Sequence, residues 1–183
     1  MPHDSTDEAL LRRFLAGQRE ALGELAQRYE LHLLGLARGM LGGREDLACD
    51  AVQETWMRII RYGASFNGKS SFRTWLYRIL INRCRSTSKT ERKRLKPTPA
   101  DPPHEDRQHP AATAGSHEGS RDLHAAVSQL TEAKREVLLL CYHADLTHEQ
   151  AAKILQIPPG TLKSRLHAAL EELRQRLASE GRS

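Results

Sequence analysis

Apolar residues in this chain recur at spacings of three and four over most of its length. The rhythm is interrupted once, between about 96 and 120, where Pro97, Pro99, Pro102, Pro103, Pro110, Gly115 and Gly119 stand among polar residues. Spacings of three and four line one face of an α-helix, and a proline-rich polar stretch supplies neither the backbone donors nor the apolar stripe to continue it. The pattern predicts an all-α protein of two small helical domains joined by a flexible linker. Length leaves the choice open, since 183 residues suit one large domain or two small ones. A composition with 5% aromatic and 28% charged residues, which suits modest cores, favours two.

The individual helices follow from the same spacing. Ser5 with Glu8 reads as a capping box ahead of Leu10, Leu11, Phe14 and Leu15, ending at Gly17. Leu22, Leu25, Tyr29, Leu33, Leu36 and Met40 mark a longer helix stopped by Gly42-Gly43; Ala48, Val52, Trp56, Ile59 and Ile60 mark a third, to about Tyr62. Phe72, Trp75, Leu76, Ile79 and Leu80 mark a fourth that runs into a basic tract. Beyond the linker, Leu123 to Leu130 and Val137 to Cys141 form helices, the second after a Thr131 cap. Thr147 with Gln150 caps another that breaks at Ile157-Pro158-Pro159-Gly160, and a last helix starts near Thr161. The expected boundaries are 1–95 for the first domain, 96–121 for the linker, 122–178 for the second domain and 179–183 for a tail.

Charge is distributed unevenly. Met1 to Met57 holds six Lys and Arg against ten Asp and Glu, a net −4; Arg58 to Lys96 holds twelve against one, a net +11. A basic block of that density neutralises phosphates and releases their counterions, although a solvated helix face explains the charge equally well. No apolar run of about 18 residues spans a bilayer and no secretory signal precedes residue 20, so a cytoplasmic protein without membrane insertion is expected. Cys49, Cys84 and Cys141 show no paired spacing, and His104, His109 and His117 lie in the linker without acidic or thiolate companions, so neither a metal site nor any cofactor is expected.

The last two helices, joined by a short turn, read as a helix-turn-helix. Its second helix carries the stripe Leu162, Leu166, Ala169, Leu170, Leu173 and Leu177, leaving Thr161, Lys163, Ser164, Arg165 and His167 polar near its start. The first turns of such a helix enter the major groove, where Lys and Arg bond guanine edges or phosphates and hydroxyls hold the backbone. The plainer reading is an antiparallel helix pair with a basic outer face.

Three motifs carry a family resemblance. Gly160-Thr161-Leu162-Lys163-Ser164-Arg165-Leu166 resembles the G-T-V-K-S-R-L signature of the sigma-70 family's C-terminal domain. Asp50-Ala51-Val52-Gln53-Glu54-Thr55-Trp56 resembles D-L-V-Q-E-T-F, and Phe72-Arg73-Thr74-Trp75-Leu76-Tyr77-Arg78-Ile79 resembles F-R-T-W-L-Y-R-I. Their order, without further domains, resembles the extracytoplasmic-function (ECF) subfamily of alternative sigma factors, initiation factors that are not enzymes. The resemblance implies that Asp50, Gln53, Glu54 and Trp56 contact the β′ clamp helices of bacterial core RNA polymerase, the second domain approaching the β flap. It implies that Phe66, Asn67 and Lys69 in the Ser65–Ser70 loop, with Asn82, receive a flipped base of the melted −10 element, while Arg73, Arg78, Arg83 and Arg85 hold the strand. Thr161, Lys163, Ser164, Arg165 and His167 would read the −35 element of promoter DNA. The linker, with Asp101, Glu105, Asp106 and Glu118, would thread through the polymerase, and an anti-sigma factor is an expected partner. Departures are Ala168 where the family often has Arg, Ser86 where it often has Asp, and Leu130-Thr131 in place of Leu-Pro.

Two other classes compete. A stand-alone helix-turn-helix regulator would leave the motifs at Asp50–Trp56 and Phe72–Ile79 without a role. A nuclease would need paired acidic metal ligands or a nucleophile with its base, and no such constellation is evident.

Overall fold

The computed structural model describes residues 5–95, 123, 125–144 and 146–180, and no strand occurs among them. The first half contains α1 (Asp7–Leu15), α2 (Glu20–Met40), α3 (Glu45–Tyr62), a single 3-10 turn (Gly63–Ser65) and α4 (Phe72–Arg94). In the second half residues 125–128 are helical, followed by α5 (Glu132–Tyr142), α6 (His148–Leu155) and α7 (Pro159–Glu180).

The ends of these helices have local causes. Gly42 and Gly43 adopt φ +67° and +82° just after α2, a region that L side chains enter at a steric cost, so the chain turns there into α3. The first helix is capped by Thr6, whose hydroxyl accepts from Ala9 N at 3.3 Å, not by Ser5 as the spacing suggested. Glu8 does not close that box. Its carboxylate crosses to accept from Phe72 N at 2.7 Å, where α4 begins, beside Ser71, whose hydroxyl accepts from Thr74 N. A free backbone donor on a partly buried helix start outcompetes the local one.

In the second half the capping box of Thr147 and Gln150 is present in both directions. Gln156 then takes a left-handed conformation at φ 57°, and α7 starts at Pro159, two residues before the sequence suggested. Proline is suited to the first helical turn, where its missing N–H has no partner to lose.

The first four helices bury Leu10, Leu11, Leu25, Leu33, Leu36, Ile59, Phe72, Leu76 and Leu80, each stabilising by about 1.5–3 kcal/mol relative to exposure. Val137, Leu140, Ile154, Leu155, Leu162 and Leu166 form the counterpart in the second half. The two groups touch, for α2 packs on α5 and α4 on α6, so the buried apolar residues run from one half into the other. The prolines and histidines between 96 and 121 lie outside the described residues.

Candidate nucleic-acid and polymerase interfaces

The acidic motif of α3 turns only its polar side outward, with Ala51, Val52 and Thr55 buried. Asp50 and Gln53 are exposed, Glu54 is half-buried and pairs with Arg58 at 3.5 Å, and Trp56 is half-buried with its indole N–H donating to Glu30 at 2.6 Å. Met57, Ile60 and Tyr62 on the same helix are also exposed. An amphipathic aromatic held by one hydrogen bond among carboxylates and open apolar side chains is the composition of a protein-docking surface.

The loop before α4 is braced by an aromatic cluster. Phe66 packs on Trp75 with ring centroids 5.3 Å apart and on Phe72 at 6.4 Å, which leaves Asn67 and Lys69 exposed. The Asn67 side chain accepts from Lys69 N at 3.1 Å, closing the loop on itself. Asn82 is exposed on α4. A cavity of ≈ 220 Å³ opens between α2 and α4, walled by Tyr29, Tyr77, Arg28, His32 and Arg73. Arg73 lies 5.9 Å from the centre of the Tyr77 ring. Rings beside cations offer a nucleobase both stacking and charge. Burial, the hydrogen bond to Asp7 and that carboxylate's charge raise the Tyr29 phenol above its ordinary value; burial raises that of Tyr77 too.

The arginines of α4 are in contact with the other half of the chain. Arg73 donates to the Ala144 carbonyl at 2.5 Å and Arg78 to the Lys153 carbonyl at 2.9 Å. Arg85 forms a two-bond fork with Glu136, at 2.5 and 2.7 Å. Glu136 is 3% exposed, and its hydrogen bonds hold the Arg85 guanidinium above its ordinary pKa. Arg83 is half-buried, with a buried Nε that meets no acceptor among the described residues.

On α7, by contrast, Lys163, Ser164 and His167 are exposed and Thr161 and Arg165 half-buried, on the side opposite buried Leu162, Leu166 and Ala169. Ser164 bonds back to the Thr161 carbonyl at 3.0 Å. The far end of the helix is tied down by Glu172, which accepts from Lys134 at 2.6 Å and from Arg176 at 2.7 Å, and these two cations lower its pKa.

The matches with known proteins agree with this layout. The model described as Sigma-70 region 2 matches residues 25–94, and that described as Sigma-70, region 4, matches residues 120–173. The RNA polymerase sigma-H factor of Pseudomonas aeruginosa is 31% identical over 91% of both chains. The ECF RNA polymerase sigma-E factor of Haemophilus influenzae is 29% identical, covering 97% of this chain and 98% of that one.

This chain is an ECF sigma factor of the sigma-70 family.

The sigma factor is accordingly an initiation factor and not an enzyme, and it directs promoter-specific transcription. Its fold agrees with solved structures. CnrH in complex with the cytosolic domain of CnrY superposes with a TM-score of 0.70 at 22% identity, over 96% of this chain and 99% of that one. The sigma factor RpoE from Bartonella quintana, in complex with the anti-sigma factor NepR, gives 0.65 at 27% identity over 85% and 97%. Among the described residues no helix is long and apolar enough to cross a membrane, and no group of three or more His, Cys, Asp or Glu is placed to hold a metal ion.

Sequence reasoning passed over Glu136 and the glycines of α2. Glu136, Leu140 and Ala144 are all buried at spacings of four. A carboxylate on the core stripe of a helix is a legible sign of a buried partner. Nothing in the sequence names Arg85 as that partner.

Proposed function

We propose that residues 1–95 bind core RNA polymerase and capture the −10 element, that residues 122–178 read the −35 element, and that 96–121 link the two inside the polymerase, ahead of a short tail at 179–183. Asp50, Gln53, Glu54 and Trp56 on α3 meet the β′ clamp helices, and the second domain approaches the β flap. Phe66, Asn67, Lys69 and Asn82 receive an unstacked base, with Arg73, Arg78, Arg83 and Arg85 along the strand backbone. Thr161, Lys163, Ser164, Arg165 and His167 enter the −35 major groove.

The observation that carries this reading is the exposure of Lys163, Ser164 and His167 at the start of α7 while Leu162 and Leu166 on its other side are buried. A helix held by its apolar side presents its polar N-terminal turns outward, as groove entry requires. The sigma factor works in the cytoplasm and joins the nucleoid with polymerase. Because its structural relatives were solved with CnrY and NepR, a comparable anti-sigma protein is the expected restraint on this chain as well.

The test is reconstitution. Purified protein added to sigma-free core polymerase should start transcripts at a small set of fixed positions on genomic DNA. Failure to associate with core, or association without defined start sites, rejects the proposal.

A further inference from the structure

One helix holds both ends of the loop assigned above to the unstacked base. The connection from α3 to α4 starts at the 3-10 turn Gly63–Ser65 and ends at Phe72, and α1 touches both places. At the near end Gly63 is buried, and a Cβ built on it would stand 3.3 Å from a Leu15 methyl and 3.5 Å from a Leu11 methyl, so α1 lies directly against the backbone there. At the far end the Glu8 carboxylate accepts from Phe72 N at 2.7 Å. It shares the start of α4 with Ser71, whose hydroxyl accepts from Thr74 N at 3.2 Å. A carboxylate in that place satisfies a free donor and meets the positive end of the helix.

The first residues of α1 are fixed in turn. Asp7 pairs with Arg28 at 2.8 Å and accepts from the Tyr29 hydroxyl, and the Tyr29 ring lies 6.1 Å from that of Phe72. Phe66 of the loop packs on the same Phe72 ring at 6.4 Å. Asp7 and Glu8 thus reach Phe72 by two routes, one through a ring and the other through a backbone amide. Between its anchors the loop is tied by local bonds, from Lys69 N to the Asn67 side chain at 3.1 Å and from the Ser65 hydroxyl to the Tyr62 carbonyl at 2.6 Å. The match to Sigma-70 region 2 begins at residue 25, so it gives α1 no part in promoter opening.

We propose that α1 is a brace for base capture, in which Glu8 acts through the Phe72 amide and Leu15 through Gly63 to hold the Ser65–Ser70 loop in its receiving shape before the base arrives. Glu8 is a positioning residue, and the inference rests on the reading of that loop as the capture site. A loop that spends less time in the receiving shape captures in proportion less often, so the brace is felt at strand opening and not in association with polymerase.

The experiment uses holoenzyme reconstituted from core polymerase and the full chain, on a duplex carrying a start site found in the genomic reconstitution. Three quantities are measured: affinity for core, the rate of opening by permanganate reactivity of unpaired thymines, and hydrogen exchange along the free chain. Glu8→Ala removes the acceptor, and Glu8→Gln returns a neutral one of the same length. Leu15→Ala loosens the other end at a side chain that is 45% exposed. Glu8→Ala should speed exchange between residues 63 and 72 and slow opening by about tenfold, roughly the worth of one hydrogen bond to a charged group, with core affinity unchanged. Leu15→Ala should do the same to a lesser degree, and Glu8→Gln should recover most of both losses. Opening at the wild-type rate in both alanine variants, or exchange that rises evenly over α1 to α4, overturns the inference. Asn67→Ala separates the brace from the reading beneath it. If Asn67→Ala slows opening and Glu8→Ala does not, the brace is wrong and the capture site stands; if neither slows it, the loop is not the capture site.

Discussion

The start of α7 and the stretch of α4 from Arg73 to Arg85 look alike as sequence, each offering cations and small polar side chains at helical spacing, yet the fold leaves one open and covers the other. Lys163, Ser164 and His167 face outward because the rest of α7 is anchored by its apolar side and by Glu172 at its far end. Arg73, Arg78 and Arg85 meet carbonyl and carboxylate oxygens of the second half. Basic charge states what a surface can bind; only its neighbours decide whether it is available. The polar start of α7 is open among the described residues, whereas Arg73, Arg78 and Arg85 of α4 are already engaged by oxygens of the second half.

The largest test of that contrast is Arg85→Ala, which leaves Glu136 buried without its cation. Removing one partner of a buried pair costs about 3–5 kcal/mol, and because the Arg85 side chain is 39% exposed the expected loss in chemical denaturation is nearer to about 2–3 kcal/mol. An unchanged denaturation midpoint would mean that the fork holds nothing together. Next in size is Lys163→Ala, expected to weaken binding to duplex carrying the −35 element by about tenfold, in the range of one lost base or phosphate contact. Scattering dimensions of the free chain should stay as in wild type, because Lys163 lies on the open surface; a change in them would break the separation between the two surfaces.

Gln156→Gly should then raise thermal stability by about 1 kcal/mol, since glycine removes the steric cost at φ 57°, and leave −35 affinity unaltered. If affinity falls instead, the Gln156 side chain itself contributes to the turn's presentation of α7. The smallest effect belongs to Arg92→Ala. Its pair with Glu132 has side chains 66% and 39% exposed, and exposed pairs contribute about 0.5 kcal/mol or less, so radius of gyration and stability should scarcely move. A large effect there would move the main tie between the halves from Arg85 to the rim.

Helix periodicity made most of the fold legible, because Gly42-Gly43, the Thr147–Gln150 box and the Leu stripe of α7 are local signals that nothing in the tertiary structure overrides. The failures arose where distant groups compete for local ones. Ser5 and Glu8 have the spacing of a capping box, but Glu8 is taken by Phe72 N, an acceptor–donor pairing 64 residues apart. Pro159 looked like a terminator and is the first residue of α7. At the candidate interfaces, residue types and their helices were readable, and the outward position of Lys163 followed from the stripe opposite. That Arg73 and Arg78 would donate to main-chain carbonyls was not readable, since a carbonyl is present at every position and leaves no mark in the sequence. Gly23, Gly35 and Gly39 look alike in the sequence of α2, yet only Gly35 and Gly39 face close neighbours, so the glycines alone do not reveal where another helix approaches.

The Glu8 bond also has a bearing on how the chain is made. During synthesis α1 emerges well ahead of the amide that its Glu8 carboxylate will cap, 64 residues further along the chain. The amino-terminal helix packs first on α2, through the Asp7–Arg28 pair at 2.8 Å, and gains the Glu8 bond only when α4 is in place. A nascent chain halted before α4 should keep α1 on α2 and lack only the Glu8 tie to the start of α4.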